Sequence, residues 1–139
     1  MIQASALCVS FKTELLRGVH DLVNDQLYIA LYRPEADLGA ETAFYTPSCE
    51  VEGLGYLAGG QQLSSPQILT EGRVAMVTFD DSVWPEATIA ARGALIYNRS
   101  CEQRAIAVLD FGATRVSNRG EFRVRMPQPR PGTALIRIL

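Results

Sequence analysis

The sequence predicts a mainly β protein, an antiparallel β-sandwich or jelly roll of about seven or eight strands with one short N-terminal helix. Three observations lead there. After Pro66 the chain runs through RVAMVTF (73–79), TIAARGALIY (88–97), RAIAVLDF (104–111), GEFRVRM (120–126) and TALIRIL (133–139), each rich in β-branched or aromatic residues. Between them stand turn formers: Asp80-Asp81, Asn98-Arg99, Ser117-Asn118-Arg119-Gly120 and the stretch from Pro129 to Gly132. Helical periodicity, by contrast, occurs in a single place near the N-terminus.

That place is residues 11–22. Phe11, Leu15, Val19 and Leu22 recur at spacings of four and three, which puts them on one face of a helix capped by Ser10. Lys12, Glu14, Arg17 and Asp21 face elsewhere. Gly18 would destabilise such a helix by about 1 kcal/mol relative to alanine, so it needs a sheet to dock on. QLYIALYR at 26–33 reads as a strand covered on both faces, ended by Pro34. From there to Pro66 the glycines at 39, 53, 55, 59 and 60 indicate long loops and edge pieces such as Phe44-Tyr45 and Glu50-Val51.

TIAARGALIYN (88–98) poses the sharpest question. As a strand it places Ile89, Ala91, Gly93, Leu95 and Tyr97 on one face and Thr88, Ala90, Arg92, Ala94 and Ile96 on the other. Both faces are largely apolar, so each needs a cover, either the rest of the chain or another subunit. The sequence reading favours a subunit boundary, with Arg92 reaching a carboxylate across it and Gly93 admitting a close neighbour.

The chain has 139 residues, 13 basic and 15 acidic, for a net charge of -2. This length implies one domain spanning 1–139. The charges are dispersed, with no polybasic run, so neither nucleic acid nor an anionic membrane is expected as a partner. Lys12 is the lone lysine and arginine supplies the other basic residues, a bias that suits planar contacts between proteins. Cys8, Cys49 and Cys101 are too far apart for a C-x-x-C metal pair and odd in number, which predicts free thiols. No stretch approaches the roughly 18 apolar residues of a membrane span.

Residues with catalytic potential do not assemble into a site. His20, the single histidine, reads as a helix-terminus or surface residue with no nucleophile motif beside it. GLGYLAGG (53–60) has glycines spaced unlike a dinucleotide loop and reads as a turn or bulge. FDDSVWPE (79–86) groups Asp80, Asp81 and Glu86, yet lacks the alternation of a calcium loop and reads as an acidic turn. The expectation is no catalytic residue, no metal and no cofactor. Function then falls to protein contacts, for which Arg92, Gly93, Tyr97, Tyr56, Trp84, Arg123 and Arg125 are the expected interface residues, because aromatic side chains and arginine are enriched there.

The segments SFKTELLRGVHDL, YIALY, VEGLGYLAGG, TIAARGALIYN and AIAVLDFG, in this order, resemble a family of small virion-associated proteins of tailed bacteriophages. The resemblance covers most of the chain and lies in the order of the segments, none of which carries chemistry by itself. It implies a particle component assembled in the bacterial cytoplasm and resident in the virion. A capsid decoration, or cement, protein is the leading expectation, its partners the major capsid protein or other virion proteins, and itself a homo-oligomer. A head-tail or tail accessory and a tail module for host-surface carbohydrate, with Trp84 and the tyrosines as stacking platforms, are the alternatives, and a small hydrolase comes third.

Overall fold

The computed structural model describes residues 1–139. In chain order it contains β1 (Ala6–Leu7), α1 (Val9–Leu16), β2 (Leu27–Tyr32), β3 (Gln61–Gln62), β4 (Gln67–Glu71), β5 (Val74–Thr78), β6 (Ser82–Asn98), β7 (Arg104–Val124) and β8 (Ile136–Ile138). They form a β-sandwich of two antiparallel sheets, one with strand order β1-β7-β6-β2-β3 and one with order β4-β5-β8.

The helix is shorter than the periodicity predicts, and Gly18 is the reason. It sits at φ +73° just beyond the Arg17 cap, where the Gly18 N–H donates to the Leu15 carbonyl and the Val19 N–H to the Glu14 carbonyl. This is a Schellman stop, which glycine enters without steric strain, so the residue ends the helix rather than weakening its middle. Val19 and Leu22 consequently lie beyond it. The buried face of α1 is carried by Phe11, and Cys8 at its start is fully buried against β7, to which its N–H donates at the Ile106 carbonyl.

The runs 88–97, 104–111 and 120–126 are not three separate strands joined by turns. β6 and β7 form one long hairpin, with Ser82 opposite Val124 at one end and Asn98 opposite Arg104 at the other. Ser117 to Gly120, expected to turn the chain, are a bulge within β7, and Arg119 takes φ +50° there. A larger irregularity lies where residues 111–114 of β7 oppose only Arg92 of β6. Pro85 occupies a further register shift between Trp84 and Ala87, the kind of break that tolerates a residue without an N–H. These bulges bend the ribbon until Phe111 and Phe122 stand 6.4 Å apart between ring centroids.

The rest of the chain covers both faces of residues 93–98, so the expected subunit boundary is not required there. Residues 93–98 are all buried. Ile2 of the N-terminal segment lies against Gly93, Tyr45 stacks on Tyr97 at 4.7 Å, and Asn98 is enclosed by the segment after α1. From Thr88 to Ala91 burial alternates with exposure, as expected of a strand with one face in water.

Candidate functional site

Four of the seven expected interface residues belong to the interior. Gly93 has no room for a side chain, since an added Cβ would stand 2.6 Å from the Leu109 carbonyl oxygen and 2.9 Å from Ile2 Cδ1. Tyr56, Trp84 and Tyr97 are 8, 5 and 1 % exposed. They are corrected from surface platforms to core residues. Trp84 packs between Tyr56 and Phe122 and Tyr97 stacks on Tyr45, while the Tyr56 hydroxyl serves a carboxylate from inside, a partner that composition could not indicate.

That carboxylate is Glu50, itself buried. Its Oε1 accepts from the Tyr45 hydroxyl at 2.5 Å, and its Oε2 from the Tyr56 hydroxyl and from the Gly59 N–H at 2.7 Å. The Tyr56 oxygen accepts in turn from the Leu31 N–H at 3.0 Å, and the Tyr97 hydroxyl donates to the Gly59 carbonyl at 2.6 Å. The glycines of 53–60 bring the loop this close: at Gly60, φ +81°, a Cβ would fall 1.8 Å from the Ile29 carbonyl oxygen. Burial, followed by Glu50, pushes the Tyr56 and Tyr97 hydroxyls up, Tyr97 to about 12. Every hydroxyl is donated, so the cluster clamps the loop onto β2 and β6.

His20 is likewise buried rather than at the surface. Its Nε2 lies 2.9 Å from Glu14 Oε1 and its Nδ1 2.9 Å from the amide nitrogen of Asn98, which also donates to Asp25 Oδ2 at 2.8 Å. The neutral ring with its proton on Nε2 satisfies both contacts. Arg104 closes the cluster by donating to Glu14 Oε2 at 2.6 Å. Burial pushes the Glu14 carboxyl up, but the hydrogen bonds from His20 and Arg104 outweigh it and hold the group below its ordinary value. The Cys101 thiol donates to the Val19 carbonyl at 3.2 Å and is pushed up by burial and Asp25, which disfavours the nucleophilic thiolate. The arrangement fastens the segment after α1 to the β6–β7 end of the sheet.

Arg92 has its carboxylate, but within the same chain. Its Nε donates to Asp110 Oδ1 at 3.0 Å across the large bulge, and that oxygen also accepts from the Gly112 N–H at 3.0 Å. These two bonds, Gly112 first, hold the Asp110 carboxyl below its ordinary value. The pair spans the expected boundary from inside: Arg92 fixes the bulge instead of meeting a partner.

Arg123 and Arg125 remain outside, together with a residue the sequence reading passed over, Arg115. They line a cleft of about 520 Å³ with Phe111, Val116, Phe122 and Val124. Arg123 is paired with Glu121 at 3.2 Å and with Asp81 at 3.3 Å, the latter drawn from the acidic segment 79–86. Asp81 Oδ1 also accepts the Met126 N–H at 2.8 Å, so this carboxylate anchors the end of β7. Arg125 has no hydrogen-bond or ion-pair partner, and Arg115 has only a 3.5 Å contact with the Phe111 carbonyl. On the outer side of β7, strand pairing is limited to β1 at Ala107 and Val108 and to a bridge from Phe44 at Arg104. The backbone from Arg115 onward therefore presents an unpaired edge beside the cleft.

The sequence matches no family model and no curated protein, and the fold matches no solved structure.

Proposed function

We propose that this chain is a structural protein of a tailed-phage particle, a capsid decoration protein that binds the assembled shell and ties neighbouring subunits together. The observation that carries the reading is the contrast between closed and open polar groups. The Glu50 and Glu14 clusters spend their hydrogen bonds inside the fold, whereas the outer half of β7 offers arginines, apolar side chains and a strand edge to whatever lies beside it. Such a surface suits adhesion to another protein. Many copies bound to a repeating shell would add small contacts into a large stabilisation, and self-association would multiply it.

The reading is preferred to a carbohydrate-binding tail module because the ring faces of Tyr56, Trp84 and Tyr97 are enclosed and offer a sugar no stacking platform. A map of the virion tests it. The expected result is density for this chain on the outer capsid surface, with contacts of at least about 800 Å² in total per copy. Absence from the particle, or a location confined to the tail, overturns it.

A further inference from the structure

We propose that the cleft along β7 receives an extended acidic segment of a neighbouring protein, which adds to the sheet as a further strand beside Glu121–Arg125. The inference rests on the particle-protein reading and names the chemistry of its partner.

The first ground is geometric. Glu121, Phe122, Arg123, Val124 and Arg125 all line the cleft. Successive residues of a strand point to opposite faces, so a cavity on one face would touch only alternate members of this run. A cavity touched by all of them lies along the strand's edge. The occupant therefore meets unpaired backbone N–H and C=O groups, and an extended polypeptide satisfies them best.

The second ground is charge. Both carboxylates of the cleft are already committed, Asp110 to Arg92 and Glu121 to Arg123. Arg125 is unpaired and Arg115 nearly so, which leaves a cationic excess on either side of the edge. Acidic side chains on the incoming strand would satisfy it with charge-assisted bonds. A second copy meeting the same edge about a two-fold axis at Arg123 would oppose Arg123 with Arg123 and offer Arg125 only Glu121, already committed within its own chain, so an acidic segment is the better complement. Between the arginines stand the half-buried Phe111 and Val116, 73 % exposed, over the buried Phe122. They suit apolar residues alternating with the acidic ones.

The test uses the full-length chain and a short capped peptide alternating glutamate and valine, followed by fluorescence anisotropy at low salt. Three controls accompany it: the same peptide N-methylated at alternate amides, its lysine–valine counterpart, and the double variant Arg115→Glu/Arg125→Glu, whose fold is checked by circular dichroism. Binding of the acidic peptide that weakens at least about tenfold with each control, and falls as salt is raised, supports strand addition. Equal binding of the methylated peptide means that charge alone attracts it and overturns the proposal. So does an unaltered affinity in the double variant, or no binding at all. The same double variant applied to virions separates the two readings. Peptide binding without particle binding removes the decoration role and keeps the site, whereas undiminished particle occupancy of the double variant removes the site and keeps the role.

Discussion

The two halves of the β6–β7 hairpin share strands and differ in everything around them. In the inner half, residues 93–98 and 104–108, nearly every side chain is buried, and the outer side of β7 is taken up by β1 and by residues 43–45. In the outer half, bulges at 111–114 and 117–120 bend the ribbon, residues 112–116 are all exposed, exposure alternates at 87–91 and 121–125, and β7 has no strand beyond it. The difference teaches that an apolar strand sequence says how much cover is needed, not who supplies it. Here residues distant in sequence cover the inner half, and the outer half keeps its edge free.

Substitutions in the inner half should strike folding, and Glu50→Ala is expected to be the most severe. It strands the Tyr45 and Tyr56 hydroxyls and the Gly59 N–H, and with about 1–3 kcal/mol for each unsatisfied buried group the loss should reach about 3–5 kcal/mol in denaturant unfolding. Gly93→Ala should follow at about 1–3 kcal/mol, because the methyl group meets backbone on β7. An effect of Gly93→Ala on particle binding with unchanged stability would return this glycine to the interface and break the comparison.

Alkaline titration sharpens it further. The hydroxyls of Tyr32, Tyr45, Tyr56 and Tyr97 are raised, burial being the largest cause in each. A group whose folded value exceeds its unfolded one contributes stability that is complete below the unfolded pKa, about 10 for tyrosine, and is lost as pH climbs through the folded value. These four should therefore ionise only as the chain unfolds, seen as a tyrosinate absorbance step that coincides with loss of the circular dichroism signal.

The smallest effect is expected at Arg92. Its partly exposed pair with Asp110 supports a bulge and nothing beyond it, so Arg92→Ala should lower stability by less than about 1 kcal/mol. Particle occupancy should not change. A loss of occupancy larger than the loss of stability would place a partner at this residue after all.

β2 and β5 were legible in the sequence, since period-two patterns and Pro34 set the bounds of β2 closely and those of β5 to within a residue, whereas β4 was not anticipated and β6 begins at Ser82, inside the expected acidic turn. The joining of 104–111 to 120–126 was not legible either, because Gly112 and Ser117–Gly120 carry the same residue types in a bulge as in a turn. The choice between them is made by the length of β6 across the hairpin. Gly18 was noticed for its effect on helix stability, yet its position next to Arg17 is what gives it a role. Of the arginines expected at an interface, Arg123 and Arg125 are exposed and line the cleft. The tyrosines were misread for lack of Glu50, whose place beside them depends on a glycine-bearing loop folding onto β2, and Arg115 was missed because the cleft forms only when the hairpin bends.

Hydrogen exchange of the chain, free and bound to virions, tests the division of the hairpin most directly. The account predicts slow exchange at 93–98 and 104–108 in both states, with protection gained on binding at 115–125. Protection appearing instead at β4, with none gained along β7, would contradict it.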